Sequence, residues 1–419
     1  MIVGRGESDL LLRLVSELEA VVDERLEATR RSGAESFDAL SGSTDADTLL
    51  PQPFRAHVLL LVDGMGQLRT EQPEVEARLV ELAAGGAHLG IHLVVTASRW
   101  YELRPAVLDS LGLRLELRLG DPADSDVSRT LAAAVPPLPG RGLTRDGRHF
   151  QLAVAPSDHP VAHSPDGHRA PRVVPLPIRV QPPIEPHDAF ALGLAEHRLA
   201  PLDLGLLSPG GHLLVYGDSG SGRTTLLRRL VTWLGTRSAG TVAVHVVDPG
   251  RGLAALAGRA PVVDYAYEAT GARGLVERLA TELASRRPPP NLPLAQLVER
   301  SWWRGPEHVL VVDDYDQLIR PEGSALSPLV DLLAVAVDLG WHIVLARRVA
   351  GAARTAYDPF GQRLRELTPA TLVLSGERGE GPLVSDVSAG PMPPGRGRLV
   401  RGGHGAVVLQ TYLPDREGR

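Results

Sequence analysis

Residues 213–225, LLVYGDSGSGRTT, decide the fold, because an apolar strand-like run leads into a glycine-rich turn and then into a helix-like segment. The turn matches the pattern G-x-x-x-x-G-K-[ST], except that Arg223 stands in the lysine position. Glycines let such a turn direct its backbone N–H groups inward as an anion nest, and the start of the following helix adds a positive pole. The sequence therefore predicts a phosphate-binding loop at this point.

A second motif, VLVVDD at residues 309–314, ends an apolar strand in two acids. We expect Asp313 to hold Mg²⁺ together with the hydroxyl of Thr224, and Asp314 to orient or deprotonate the attacking water. ATP and Mg²⁺ are the expected cofactors. The predicted nucleotide-binding residues are Gly217, Asp218, Ser219, Gly220, Ser221, Gly222, Arg223, Thr224 and Thr225.

Arg223 is the unusual member of this site. All 44 Lys and Arg residues of the chain are arginine, so no site here uses a lysine. A guanidinium is planar, bulkier and forked, whereas the lysine ammonium is a compact point charge. We expect nucleotide binding to survive, since backbone amides do most of the holding. Hydrolysis should be weak, because positioning and charge stabilisation dominate phosphoryl transfer. Arg223 and Asp314 are the two predicted catalytic residues.

The chain contains an internal repeat. VLLLVDGMGQL at 58–68 matches HVLVVDDYDQL at 308–318, and GIHLVVTASR at 90–99 matches GWHIVLARR at 340–348, both 250 positions apart. Pro-Gly-Arg-Gly at 139–142 also occurs at 394–397. Three matches in the same order indicate two copies of one domain, a tandem array rather than a solenoid.

The first copy is incomplete. In the second copy the phosphate loop begins 96 residues before Asp313, so the corresponding loop of the first copy would fall before Met1. The first copy also has Gly64 at the position of Asp314. We therefore expect the first copy to be N-terminally truncated and to lack a complete nucleotide site of its own.

The pattern of elements predicts an α/β fold. Apolar strand-like runs alternate with helix-like segments in the second copy, which is typical of a mostly parallel central sheet covered on both faces. A stretch near 160–187 is rich in proline, as linkers are. The predicted organisation is an amphipathic helix and connector at 1–53, a partial domain at 54–160, a linker at 161–187 and a complete domain at 188–419.

Composition excludes several classes of protein. The chain has no cysteine, so disulfides, zinc–cysteine sites and thiol catalysis are excluded. Its formal net charge of −6 gives no general attraction to nucleic acid. There is no uninterrupted apolar run of about 18 residues and no apolar segment after Met1 typical of a signal peptide. We expect a cytoplasmic protein with no direct membrane insertion.

Longer stretches resemble one family, the type VII secretion (ESX) ATPases called EccC, of the FtsK/SpoIIIE class. They include VVDDYDQL at 311–318 and LVLSGERGEGPLV at 372–384 in the second copy, and LGIHLVVTASRWYELRPAVLDSLGLRLELRLGDPADSD at 89–126 in the first. The resemblance implies tandem RecA-like P-loop NTPase domains, and degenerate nucleotide sites are familiar in the later domains of such proteins.

The resemblance also implies partners. The last domain would dock secreted WXG100 (Esx) proteins through a C-terminal signal, and the chain would work with other subunits or domains of the secretion ATPase and its membrane complex. That association would place it peripherally at the inner face of the plasma membrane, and a hexameric ring is one assembly the family allows. No nucleic-acid partner is expected.

Two other functions stay open from the residues. One is an FtsK-like DNA translocase, which would need a basic channel or a DNA-binding domain. The other is a non-catalytic adaptor that docks secreted proteins without using nucleotide. Among single residues, we expect Arg99 and the pair Arg347–Arg348 to be surface arginines in ion pairs, with phosphate sensing as the alternative. We expect the equivalent residues His92 and His342 to be buried beneath the sheet.

Overall fold

The computed structural model describes residues 3–4, 6–42, 50, 55–154, 173–183, 189–299, 301–320, 323–352, 358–402 and 405–414. The chain divides into two compact units, Met1–Pro175 and Leu176–Arg419, called unit 1 and unit 2 below. Much of the proline-rich stretch predicted as a linker lies outside the described residues. In the described ranges no helix is both long and apolar enough to cross a bilayer.

Unit 1 contains short strands and helices around small apolar clusters. Its elements are α1 (Ser8–Ser32), α2 (Phe37–Ser41), β1 (Val58–Val62), α3 (Met65–Glu71), α4 (Pro73–Gly86), β2 (Ile91–Val95), α5 (Pro105–Ser110), β3 (Leu115–Leu117), α6 (Arg129–Ala133), β4 (Arg141–Thr144) and β5 (His149–Gln151). Strands β1 and β2 form a parallel pair, and β3, β4 and β5 form a separate antiparallel sheet.

Unit 2 is built on one large sheet. Its elements are β6 (Phe190–Ala195), β7 (Pro201–Leu204), β8 (Leu213–Tyr216), α7 (Arg223–Leu234), β9 (Val242–Val247), β10 (Val262–Ala266), α8 (Ala269–Ser285), α9 (Leu294–Glu299), β11 (Glu307–Val312), β12 (Ile319–Arg320), β13 (Gly323–Ser324), β14 (Trp341–Arg347), α10 (Pro359–Glu366), β15 (Ala370–Leu374), β16 (Pro382–Val384), β17 (Val387–Ser388), β18 (Arg396–Val400) and β19 (Val407–Thr411). The residues Ser327–Val335 form a 3₁₀ helix.

The ten strands of this sheet lie in the order β10-β9-β11-β14-β8-β15-β18-β19-β6-β7. The six strands from β10 to β15 run parallel, and the remaining strands are added antiparallel. Strand β8 therefore lies between β14 and β15, and β14 separates it from β11. The expected mostly parallel α/β sheet is confirmed, and its strand order brings the ends of β8 and β11 to the same edge.

Alternate residues of the central strands pack on opposite faces, as the period of a strand requires. On one face Val309, Val311 and Val344 pack against the apolar side of α7. On the other face, Leu310 and Ile343 pack against α8, α10 and the 3₁₀ helix. Because both faces are covered, the strands are apolar at nearly every position, and this is why the sequence shows continuous runs rather than alternation.

The two units repeat the same internal contacts. Strands β1 and β2 pair in the register that β11 and β14 use, with every partner shifted by 250 positions. The guanidinium of Arg25 donates to the backbone carbonyl oxygens of Leu89 and Ala56, and Arg286 donates to those of Leu339 and Pro306. Helix α1 therefore takes in unit 1 the place that α8 takes in unit 2.

Candidate nucleotide-binding site

The glycine-rich turn is fixed to the sheet at its start. The N–H of Gly217 donates to the carbonyl of Arg347 at 3.1 Å, and the N–H of Asp218 donates to the carbonyl of Ser375 at 2.9 Å. Arg347 is the last residue of β14 and Ser375 directly follows β15, and these strands are the two neighbours of β8. A Cβ at position 217 would lie 2.4 Å from the Ser221 hydroxyl oxygen and 3.0 Å from Leu374, so only glycine fits there.

The Asp218 carboxylate holds the surrounding loops together. Its Oδ1 accepts hydrogen bonds from the N–H groups of Val349 at 3.0 Å and Ala350 at 3.2 Å, and its Oδ2 accepts one from Glu377 at 2.8 Å. The side chain predicted to contact nucleotide is thus engaged with the loops after β14 and β15. Its carboxylate therefore fixes the start of the turn to both neighbouring loops.

The tip of the turn leaves a row of amides free. Gly220 and Gly222 have φ angles of 78° and 105°, which favour glycine, and α7 begins directly after Gly222. Among the described residues, no acceptor is hydrogen-bonded to the N–H groups of Ser219, Gly220, Gly222, Arg223, Thr224 and Thr225. Free amides at a helix start form an anion-binding concavity, and the helix dipole reinforces it.

The first acid of the second motif reaches this helix start. The Thr224 hydroxyl donates to Asp313 Oδ2 at 2.5 Å, and Asp313 Oδ1 accepts from the Asp314 N–H at 2.9 Å. Asp313 is only 1% exposed, and burial raises the pKa of its carboxyl while the Thr224 hydrogen bond opposes that shift. A hydroxyl and a carboxylate oxygen placed together are oxygen ligands of the kind that Mg²⁺ binds.

The two predicted catalytic residues bind each other. Arg223 Nη2 lies 2.7 Å from Asp314 Oδ1, and the two side chains are 7% and 16% exposed. The Arg223 Nη1 atom is buried and has no hydrogen-bond partner among the described residues. Asp314 has a φ of 48°, and Gln317 donates a further hydrogen bond to its Oδ2 at 3.3 Å. In this conformation Arg223 Nη2 and Asp314 Oδ1 are engaged with each other rather than with phosphate or water, whereas Arg223 Nη1 keeps an unused donor.

Two Pro-Gly-Arg-Gly turns lie against the site, although neither was predicted to belong to it. The turn at 394–397 lies against the loop, where the Gly395 N–H donates to the Ser221 carbonyl at 2.8 Å. The turn at 249–252 lies on the other side, where a Cβ at Gly252 would be 2.5 Å from the Thr224 methyl carbon. The sequence contained a signal for both turns, because the tetrapeptide Pro-Gly-Arg-Gly at 394–397 also occurs at 249–252.

The candidate phosphate-sensing arginines have other contacts. Arg348 lies 3.8 Å from Asp316 and Arg99 lies 3.4 Å from Asp124, as the ion-pair interpretation predicts. Arg347 is buried with its guanidinium carbon 5.9 Å from the centre of the Tyr216 ring, so the expectation of a surface position is wrong for it. Arg347 ends β14, a central strand with neighbours on both sides, and this position in a wide sheet allows its long side chain to be buried.

The two equivalent histidines differ in burial. His342 is buried, as expected, and its Nδ1 is 3.0 Å from the Gly211 carbonyl oxygen. His92 is exposed, and its Nε2 is 2.9 Å from His57 Nδ1, so the expectation is wrong for this copy. In unit 2, β8 pairs with β14, and the segment leading into β8 contacts His342 through the Gly211 carbonyl. The described residues of unit 1 place no strand in that position beside β2.

Comparisons with known proteins agree with this geometry. The model of the FtsK/SpoIIIE family matches residues 5–159, and the model of an AAA domain matches residues 207–347. Among curated proteins, the ESX secretion system protein EccC of Thermomonospora curvata is 34% identical over 98% of this chain and 33% of its own length. The ESX-4 protein EccC4 of Mycobacterium tuberculosis is 36% identical over 98% of this chain and 34% of its own length.

A solved structure is similar over both units. It is Thermomonospora curvata EccC, ATPases 2 and 3, in complex with a signal sequence peptide, with a TM-score of 0.79 and 33% identity. The match covers 98% of this chain and 77% of that one. The chain spans about a third of the length of the two curated relatives named above. The expected tandem of P-loop ATPase domains is thereby confirmed.

Proposed function

The chain belongs to the EccC family of ESX secretion ATPases, and from that premise we propose that unit 2 binds ATP with Mg²⁺ but hydrolyses it slowly. The observation that carries the proposal is the row of free amides at the start of α7, beside the Thr224–Asp313 pair. Gly217, Gly220 and Gly222 keep side chains away from this row. When bound, Mg²⁺ would neutralise phosphate charge, held by the Thr224 hydroxyl and by Asp313.

The slow hydrolysis follows from the Arg223–Asp314 ion pair. Asp314 must accept a hydrogen bond from water to orient it, and Arg223 must face the terminal phosphates. Both side chains are largely buried and 2.7 Å apart, so each satisfies the charge of the other. Separating the two side chains breaks a charge-assisted hydrogen bond, which costs a free energy of about 1.5–3 kcal/mol before either group can act on the nucleotide.

We further propose that this unit docks secreted proteins. The similar Thermomonospora curvata structure holds a signal sequence peptide, and this chain would take the C-terminal signal of WXG100 (Esx) proteins in the same way. It would act on the cytoplasmic side of the membrane, together with other subunits or domains of the secretion ATPase and its membrane complex, with a hexameric ring as one assembly. Nucleotide would then set the conformation that accepts or releases the peptide.

A non-catalytic adaptor is the second candidate, and the Arg223–Asp314 ion pair favours it. The two functions differ in whether nucleotide matters. We would measure the binding of a fluorescent C-terminal peptide from a WXG100 protein to the full chain by anisotropy, with and without Mg²⁺ and a non-hydrolysable ATP analogue. A labelled DNA duplex of the same size range serves as the control ligand.

The proposed function predicts saturable peptide binding whose affinity changes when the ATP analogue is added, and no competition from the duplex. If the peptide affinity is the same with and without the analogue, and no nucleotide binding is detected, the non-catalytic adaptor is the function that remains. Binding of the duplex in place of the peptide would support the DNA translocase, which the net charge of −6 does not favour.

A further inference from the structure

The turn Pro-Gly-Arg-Gly at 249–252 follows β9, the strand that pairs in parallel with β11. A hydrogen bond from the Arg251 N–H to the Asp248 carbonyl oxygen, at 3.1 Å, closes the turn. At the same sheet edge, the Asp313 N–H donates to the carbonyl of Val247, the last residue of β9, at 3.0 Å. The turn therefore begins one strand away from Asp313 and borders the Thr224–Asp313 pair.

The fully buried carboxylate of Asp248 holds this turn in place. Its Oδ1 accepts a hydrogen bond from the Gly252 N–H at 3.2 Å, and its Oδ2 accepts one from the Leu253 N–H at 2.6 Å. Oδ2 also accepts a hydrogen bond at 2.9 Å from the hydroxyl of Tyr265 on β10. Burial and the nearby Asp248 raise the pKa of Tyr265, so its hydroxyl keeps the proton that it donates. Three donors to one buried carboxylate fix the turn to β9 and β10.

The far end of the turn lies against the methyl group of Thr224. A Cβ at position 252 would be 2.5 Å from Thr224 Cγ2, but 3.5 Å from its Oγ1 and 3.6 Å from its Cβ. Only the methyl group is thus in tight contact with Gly252. Because a threonine carries two heavy atoms on its Cβ, the position of the methyl group fixes the direction of the hydroxyl. The methyl contact with Gly252 and the hydroxyl hydrogen bond to Asp313 therefore select the same Thr224 rotamer.

We propose that the 249–252 turn, held by Asp248, positions the Thr224 hydroxyl to bind Mg²⁺. Gly252 and Asp248 act through Thr224 and are positioning residues. Groups that orient a metal ligand from behind set the affinity of the site for the metal almost as strongly as the ligand itself. The inference rests on the proposed binding of ATP and Mg²⁺ by unit 2, and it adds the residues that prepare the site for the metal.

A methyl group added at position 252 tests the contact with Thr224. The φ of Gly252 lies outside the left-handed region, so the backbone tolerates Gly252→Ala, but the new Cβ meets the Thr224 methyl group. Thr224→Ser removes that methyl group and keeps the hydroxyl. The double variant with both changes has room for the alanine, since the remaining Oγ and Cβ atoms are at ordinary contact distances of 3.5 and 3.6 Å. Gly271→Ala on α8 is the matched control, because a Cβ there would lie 3.7 Å from Ala266, outside the site.

The readout is the factor by which Mg²⁺ raises the affinity of the full chain for a fluorescent ATP analogue, from equilibrium titrations with Mg²⁺ and with EDTA. We expect a factor of about ten or more for the parent, Thr224→Ser, Gly271→Ala and the double variant, and of less than about three for Gly252→Ala. The affinity measured in EDTA should be the same for all five proteins, because the free amides at the start of α7 are unchanged.

Asp248→Asn tests the hold on the turn. The asparagine keeps one acceptor oxygen, but its NH₂ group would face a backbone N–H donor, so the turn is released. We expect the Mg²⁺ factor to fall in Asp248→Asn, with cooperative thermal unfolding as the check that the variant is folded. Tyr265→Phe removes one of the three donors and should lower the factor by a smaller amount, and an unchanged factor in both variants would overturn the role of Asp248.

The outcomes separate this inference from the proposed function. A full Mg²⁺ factor in Gly252→Ala would overturn the positioning role of the turn while leaving the nucleotide site intact. A loss in Gly252→Ala that Thr224→Ser does not restore would also overturn it, because the turn would then not act through the Thr224 methyl group. A parent whose affinity for the analogue does not respond to Mg²⁺ would overturn the proposed function, and this inference with it.

Discussion

Replacing Arg223 by lysine should convert unit 2 into a faster ATPase. The substitution removes the planar guanidinium whose Nη2 lies 2.7 Å from Asp314 Oδ1, and it places a compact ammonium where the motif has one. The freed Asp314 can then orient water, and the ammonium can approach the terminal phosphates. The lost ion pair corresponds to about 1.5–3 kcal/mol, or about a 10- to 100-fold increase in turnover at 1.4 kcal/mol per factor of ten.

The assay is steady-state phosphate release by the full chain at saturating ATP and Mg²⁺. Arg228→Lys is the matched control, since Arg228 lies on the same helix but its guanidinium contacts the Gly252 carbonyl at 2.8 Å and not an acid. We expect the control to match the parent. Turnover of Arg223→Lys that equals that of the parent, at unchanged nucleotide affinity, would show that the Arg223–Asp314 ion pair does not limit hydrolysis.

Three further predictions concern stability. Burial lowers the pKa of His212 to about 4 and that of His308 to about 3. The unfolded chain takes up these protons near pH 6.5, so the contribution of the two histidines to the free energy of unfolding should be constant above that pH and fall by about 1.4 kcal/mol per pH unit per histidine from 6.5 down to about 4. Urea midpoints that stay level between pH 7 and 5 would contradict this. Asp218→Ala removes three hydrogen bonds from backbone N–H groups and should lower the free energy of unfolding of unit 2 by about 2–4 kcal/mol. We expect a lower unfolding temperature that nucleotide partly restores. An unchanged unfolding temperature would mean that the Asp218 carboxylate does not hold the loops in place. Val311→Ala should lower the free energy of unfolding by about 2 kcal/mol, and its counterpart Leu61→Ala should lower it by under about 0.5 kcal/mol. The reason is that Val311 is fully buried whereas Leu61 is 67% exposed. Equal losses in urea unfolding would mean that Leu61 is covered in solution.

The central strands of unit 2 could be predicted from the sequence, since each is a continuous apolar run bounded by glycine, proline or acids. Strand β10 (Val262–Ala266) could not, because Asp264 and exposed positions interrupt its apolar pattern. The segment Ser327–Val335 is a 3₁₀ helix, and the apolar periodicity of nine residues does not distinguish it from an α-helix.

The members of the site were visible in the sequence, but their contacts were not. The loop and the two acids follow from local patterns, whereas the ion pair joins residues 91 positions apart and depends on β14 lying between β8 and β11. Strand order is set by packing of the whole sheet and leaves no local signal. For the same reason the repeat indicated two copies of one domain without revealing that Leu59, Leu61 and Val94 are exposed on one face of the β1–β2 pair.

Phosphate binding by the free amides at the start of α7 can be tested by an equilibrium titration of the full chain with a fluorescent ATP analogue, with and without Mg²⁺, for the parent and for Gly222→Val. A Cβ at Gly222 would lie 3.1 Å from the Gly395 nitrogen at a φ of 105°, so this variant strains the turn that carries the free amides without changing the Thr224 or Asp313 side chain. We predict one saturable site in the parent, weakened at least ten-fold without Mg²⁺ and lost in a folded Gly222→Val. Equal affinity in the parent and in folded Gly222→Val would contradict the claim that these amides hold the phosphates.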